Sequence, residues 1–184
     1  MTYLLPSIRL WLITFAVCVV GYSALVLGFA QAVTPYRAAG SIITVDGQAV
    51  GSELIAQNFT SDRYFWPRPS AADYDAMGAM GSNLSPTSTK LAERAAATVS
   101  RYGASADRPL PADLVAASGG GLDPHISLAG AFYQIDRVAN AREIDSAALH
   151  QIVRDAAQAP GGIFAPEPIV NVLQLNLALD RLER

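Results

Sequence analysis

This 184-residue sequence has one cysteine, two histidines and no cluster of basic residues. The single cysteine, Cys18, lies inside an apolar run, so no internal disulfide can staple a domain outside that run and the redox compartment stays open. Two histidines, His125 and His150, stand far apart and without a Cys beside them, so no metal site is assigned. Lys and Arg number 13 against 16 Asp and Glu, a formal net charge of -3, and no basic stripe occurs; nucleic acid is excluded as a partner. Gly-x-Ser-x-Gly, His-Glu-x-x-His and Ser-x-x-Lys are all absent, as is a Cys-His pair outside the apolar run. No catalytic residue is assigned, and self-contained hydrolysis lacks its machinery.

The dominant feature present is the run from Leu10 to Val33, which holds no charged residue. As a helix it would span roughly 36 Å, somewhat more than a hydrocarbon core of about 30 Å. A cleaved secretory signal competes, because Arg9 precedes the run and Ala30-Gln31-Ala32 has the small-x-small form of a cleavage site. Its length favours an uncleaved anchor, since a signal core is about 7 to 15 residues. Arg9 favours a cytoplasmic N-terminus, against the opposing Arg37, with Trp11 and Tyr36 as interfacial anchors. Gly21, Ala24, Gly28 and Ala32 fall at helical spacing and form a candidate packing face for another membrane helix. Ala-rich composition would produce the same ladder. The chain therefore divides into a flank (1–9), a transmembrane helix (10–33) and a soluble domain (34–184).

Within that domain, Asp46-Gly47 between Ile42–Val45 and Gln48–Val50 predicts a hairpin. Tyr64-Phe65-Trp66, followed by Pro67 and Pro69, predicts an extended path, with the aromatics a core plug rather than a binding ledge. Ser85-Pro86 predicts the start of a helix running to Tyr102, with Leu91, Ala95, Thr98, Val99 and Tyr102 inward and Lys90 and Arg94 facing solvent. Asp113 to Ala117 is expected as a short strand, and Asp73 and Asp75 as turn residues. Leu128 to Arg142 reads as an amphipathic helix whose apolar face is Leu128, Ala131, Phe132, Ile135, Val138 and Ala139, with Gln134 and Arg137 pointing away. Asp145-Ser146 caps a further helix, broken at Pro160-Gly161-Gly162; Val170 to Leu175 reads as a buried strand and Asn176 to Arg184 as a closing helix. The expected fold is one N-terminal transmembrane helix plus a small α+β domain with a short mixed sheet and three to four helices.

Ser118-Gly119-Gly120-Gly121-Leu122-Asp123-Pro124-His125 is the most unusual stretch. Successive glycine N–H groups can cradle an anion, which makes Ser118, Gly119, Gly121, Asp123 and His125 candidate contacts for a phosphate or nucleotide. A flexible turn followed by an Asx-type cap explains the same residues. No Gly-Lys-Ser/Thr follows, so the stretch is not a P-loop.

Taken in order, several stretches resemble one family. They are Tyr64-Phe65 with Arg68-Pro69-Ser70-Ala71 and Tyr74; Gly81-Ser82-Asn83-Leu84 with Pro86-Thr87; Ala117-Ser118-Gly119 with Gly121 to Ser127; Gln134 with Arg137-Val138-Ala139 and Ala141-Arg142; and Val170 to Asp180. Together with the N-terminal apolar helix they resemble the KdpC family, the C subunits of bacterial Kdp-type potassium-transporting ATPases. The resemblance implies a non-enzymatic accessory subunit of a high-affinity, ATP-driven potassium uptake complex with A, B and F subunits. Such a subunit stabilises the complex and acts as a catalytic chaperone that raises the ATP affinity of the ATP-hydrolysing B subunit. It further implies the bacterial cytoplasmic (inner) membrane, with the C-terminal domain periplasmic or extracellular and lipid around the helix. ATP is then met through a ternary complex with the B subunit, with no cofactor held by the chain itself. The motif positions Asn83, Gln134 and Arg137 join the glycine stretch as candidate nucleotide or partner contacts. Direct nucleotide binding, and a secreted binding protein released by cleavage, are the alternatives.

Overall fold

The computed structural model describes residues 3–164 and 167–182. The chain divides into two units, one ending at Val50 and one beginning at Gly51.

The first unit is built on a 30-residue apolar helix, Leu4–Val33, formed by α1 (Leu4–Phe15), a π-helical turn (Ala16–Gly21) and α2 (Tyr22–Val33). It starts earlier than the predicted Leu10. Pro6 stands in its first turn, where a missing N–H costs nothing, and so does not delay the helix. Arg9 is therefore helical. It is the one helix among the described residues long and apolar enough to cross a membrane. A single turn, α3 (Pro35–Ala38), follows with Pro35 at its first position. The predicted hairpin then forms from β1 (Ile42–Val45) and β2 (Gln48–Ser52). Asp46 and Gly47 both take positive φ, 52° and 78°, as a two-residue hairpin turn of matching twist requires.

The second unit is a small α+β domain. Its longer helices are α4 (Thr89–Arg101), α6 (Leu128–Arg142), α7 (Ser146–Asp155) and α8 (Val172–Leu182), with a single turn α5 (Ala112–Val115). Strands β3 (His125–Ser127), β4 (Ala157–Gln158) and β5 (Ile169–Asn171) make a sheet in the order β3-β5-β4. Both pairings are antiparallel, with Ile126 opposite Val170 and Ala157 opposite Val170, which corrects the expected mixed sheet. Strands of two and three residues give no hydrophobic run from which direction can be read.

Helix α7 begins at the predicted Asp145 cap, and α6 at a cap from Ser127 that the sequence reading did not assign. Ser127 Oγ accepts from Gly130 N at 2.8 Å and Asp145 Oδ2 from Ala148 N at 3.2 Å. Ile126, Ala131, Ile135, Val138, Ala139, Leu149, Val153, Val170, Leu175 and Leu179 form the core with Phe65 and Leu114.

Four further expectations are corrected. Asp113 lies in the helical turn α5, not in a strand, because Pro111 accepts from Leu114 N and starts the turn. Helix α4 begins at Thr89; Ser85 caps a turn instead, its Oγ taking Thr87 N at 3.3 Å. Along α4 no residue is fully buried, Val99 is exposed and Arg94 is only half-exposed with its Nε enclosed, so Arg94 does not face solvent as expected. The strand predicted from Val170 to Leu175 ends at Asn171, whose Oδ1 accepts from Gln174 N at 3.1 Å and starts α8. Val172, Leu175 and Leu179 satisfy a helical period as well as a strand's apolar run, and the cap decides between them.

Candidate functional site

The motif residues gather round one segment, Ser61 to Pro69, a turn closed by Tyr64 N–H on the Ser61 carbonyl followed by residues that have no strand partner. Its backbone is satisfied by side chains from α6 and α8. Asn176 Oδ1 accepts Phe65 N–H at 2.8 Å and Asn176 Nδ2 donates to the Phe65 carbonyl at 3.0 Å. Gln134 repeats the arrangement on Trp66, at 2.8 and 3.1 Å. Arg137 Nη1 donates to the carbonyls of Asp62 and Tyr64 and its Nη2 to Gln134 Oε1, while Arg142 Nε donates to the Arg63 carbonyl. Each amide acts as a one-residue substitute for a neighbouring strand. Phe65 and Trp66 are buried and plug the core, while Tyr64 beside them is only half-buried.

Gln134 and Arg137 do not point away from the core. Gln134 is 1% exposed, and the Arg137 guanidinium lies 3.6 Å from the Trp66 ring centroid. Arg101, from the last turn of α4, places a second guanidinium 3.8 Å from the same ring, and Tyr102 meets it edge-on. Burial pulls Arg137 down to about 10, and burial raises the Tyr102 hydroxyl. At the segment's other end, Arg142 Nη2 and the Tyr64 hydroxyl both reach Asp180, at 2.7 and 3.2 Å. Burial and the Asp180 carboxylate raise Tyr64.

The glycine stretch forms a second knot against the same segment. Ser118 N donates to the Pro69 carbonyl, Gly121 N to the Ser118 carbonyl, and Ser70 Oγ to the Gly121 carbonyl at 2.6 Å. Asp123 Oδ1 accepts from His125 N at 3.0 Å and pairs with His125 Nδ1 at 3.1 Å, and Asp123 Oδ2 pairs with Arg68 Nη1 at 3.2 Å. The His125 hydrogen bond holds the Asp123 carboxyl below the usual range, with Arg68 adding to it. A turn followed by an Asx-type bond is the plainer of the two readings of this stretch. Asn83 stands exposed at φ 49° in the loop that packs Gly81 against Gly119.

Two pockets open on this unit. One of about 290 Å³ is lined by Glu53, Leu54, His125, Gln158, Asn171 and Gln174, below the range of nucleotide-sized sites. The other, about 630 Å³, is lined by Pro111, Leu128, Phe132 and Pro168 with Asp113 and Glu167, and has no basic residue for a triphosphate. The residues that sequence reasoning passes over as sites are Arg68, Ser70, Arg101, Arg142 and Asn176. The available signal is position: Gln134 and Arg142 follow Ala131 and Val138 at helical spacing, and Asn176 follows Val172, so each polar side chain sits on a core stripe.

The profile of a family described as KdpC, the c chain of the K+-transporting ATPase, matches residues 4–181. The chain belongs to the KdpC family. A relative from Parvibaculum lavamentivorans, named potassium-transporting ATPase KdpC subunit, is 57% identical over 180 residues, 97% of this chain and 96% of its own length. KdpC subunits from Photorhabdus laumondii and Burkholderia ambifaria are 42% and 45% identical over 188 and 187 residues, covering 99% and 97% of this chain and 97% and 96% of theirs. The KdpC match thus takes in both the apolar helix and the clamped segment.

Proposed function

We propose that the chain is an accessory, non-catalytic subunit of an ATP-driven potassium uptake complex, acting as a catalytic chaperone that raises the ATP affinity of the ATP-hydrolysing B subunit. The observation that carries this reading is the near-full-length likeness to subunits named for a potassium-transporting ATPase. It is supported by a domain whose motif side chains bond to one another rather than converge on a reacting atom.

In this reading α1 and α2 cross the bacterial inner membrane once, with a cytoplasmic N-terminus and the domain on the outer side. Gly21, Ala24, Gly28 and Ala32 meet a helix of a partner; a Cβ on Gly28 would find nothing within 4 Å, which leaves room for close approach. The partners are the A, B and F subunits, with lipid on the remaining faces. ATP is bound in a ternary complex with the B subunit. A domain outside influences a cytoplasmic nucleotide through the membrane subunits, as a coupling free energy between sites.

The test is the ATP dependence of hydrolysis by the purified complex with and without this chain. Removal should raise the KM for ATP more than it lowers kcat, and an unchanged KM overturns the chaperone role. The full chain alone, titrated with millimolar ATP, should show no binding; saturable binding favours the direct-nucleotide reading instead.

A further inference from the structure

The loop that leaves the clamped segment after Pro69 is built unlike the rest of the surface. Its tip is apolar and its feet are locked. Met77 is 94% exposed and Met80 54%, the former among the most exposed apolar side chains of the described residues. Single exposed apolar residues are ordinary, but two on one short loop need a reason.

The feet supply that reason. On the entering side, Ser70 Oγ accepts from Ala72 N at 3.0 Å and Tyr74 N at 3.1 Å while donating to the Gly121 carbonyl. The Tyr74 hydroxyl donates to the Arg68 carbonyl at 2.9 Å. On the leaving side, a Cβ on Gly81 would stand 2.5 Å from the Gly119 carbonyl oxygen, and one on Gly121 2.7 Å from the Met80 carbonyl oxygen. Asp73, Tyr74 and Asn83 all hold positive φ, at 49°, 60° and 49°. Non-glycine residues rarely adopt this region, and three at the feet of one loop mark a shape that its surroundings impose. Within the loop, Asp75 closes two turns, taking Met77 N on Oδ1 at 2.9 Å and Gly78 N on its carbonyl at 3.0 Å. The glycine stretch is the seat of this loop.

We propose that Asp75 to Met80 is a docking finger whose two methionines seat in an apolar socket edged by Lys or Arg on another subunit of the transporter. This rests on the accessory-subunit reading above. Charge selects the occupant. No Lys or Arg lies between Arg68 and Lys90, and exposed Asp73 and Asp75 leave that stretch at a net charge of -2. Anionic lipid headgroups repel such a loop, and it carries no Trp or basic residue to hold it at a membrane interface. A basic-rimmed protein socket attracts it, and the unbranched thioether side chains adapt to an irregular apolar surface.

The test places a benzoyl-phenylalanine photocrosslinker at Met77, at Glu93 on α4 as an exposed control, and at Gly28 in α2, each in the full chain within the purified complex. The Met77 position should crosslink to another subunit, at a peptide containing Lys or Arg, with a yield at least tenfold above the Glu93 position. Crosslinks to lipid, to a second copy of this chain, or at the control level overturn the finger. In parallel, Met77→Glu with Met80→Glu should lower recovery of the other subunits at least tenfold relative to Met77→Leu with Met80→Leu. Equal recovery overturns it as well. If Gly28 crosslinks and the complex stays together while Met77 does not react, the finger is wrong and the accessory-subunit reading stands. If the unaltered chain recovers no other subunit, both fall.

Discussion

The carboxamide of Gln134 closes on the peptide of Trp66 from both sides, accepting its N–H at 2.8 Å and donating to its carbonyl at 3.1 Å. Both groups are buried, so no water replaces the amide. Gln134→Leu keeps most of the volume and leaves two orphaned backbone groups, which should cost about 2–4 kcal/mol. Denaturant unfolding of the full chain in detergent reads this; a loss below about 1 kcal/mol would show that water enters the clamp.

Arg137 should not tolerate lysine. Its guanidinium spans the carbonyls of Asp62 and Tyr64 and the oxygen of Gln134 while lying on Trp66. An ammonium keeps the charge but lacks the planar fork, so Arg137→Lys should destabilise by about 1–2 kcal/mol. In a Trp11→Phe background the emission of Trp66 should shift to the red, and emission unchanged from the parent would place the ring elsewhere. Arg101→Ala, which removes an exposed contact on the same ring, should cost less, about 0.5–1 kcal/mol.

The three consecutive glycines should respond differently to alanine. Gly121 has φ 72° and no room beside the Met80 carbonyl, so Gly121→Ala should cost roughly 2–4 kcal/mol. Gly119 and Gly120 have nothing within 4 Å of a Cβ, and their alanine variants should stay within about 0.5 kcal/mol of the parent. Thermal unfolding of the three variants decides it: equal losses at all three would mean that glycine's backbone freedom along the whole stretch, not the packing at Gly121, matters.

Acid should weaken the glycine knot through Asp123. Its folded carboxyl is held below the unfolded value, first by the His125 hydrogen bond, so the unfolded chain binds protons more readily. The contribution is present above about pH 4, near the unfolded carboxyl value, and is lost as pH falls through the depressed one. Asp123→Asn should lower stability at neutral pH and flatten the loss below about pH 4. An acid limb of unchanged slope in unfolding measured across that window would assign the acid sensitivity to another carboxyl.

Elements specified by neighbours in the chain are legible in the sequence itself: the Asp46-Gly47 hairpin, the Asp145 cap, and the apolar stripes of α6 and α7. Each rests on a local rule in which the deciding residues lie within four positions. What escapes such rules is settled across the fold. Asp113 reads as part of a strand, yet its carboxylate takes both the N–H and the hydroxyl of Ser127, fourteen residues away, at 2.7 and 2.9 Å. Gln134 reads as solvent-facing because it is polar, although its spacing from Ala131 and Val138 puts it on the buried stripe. A polar residue at a core period has a buried partner, and that partner, the segment Ser61 to Pro69, carries no periodic signal of its own. The glycine stretch stands out for the right reason, close backbone approach, but what approaches it is the chain's own Met80 carbonyl.

The clamped segment also has a place in time. Strands can pair as soon as two extended stretches meet, but Phe65 and Trp66 gain their hydrogen bonds only once Asn176 and Gln134 arrive on two finished helices, 111 and 68 residues along the chain. Contacts of such separation form late, after the entropy of closing long loops has been met. The amide hydrogens of Phe65 and Trp66 should therefore gain protection in pulsed hydrogen exchange after those of α6 and α7, although they lie in the centre of the folded domain.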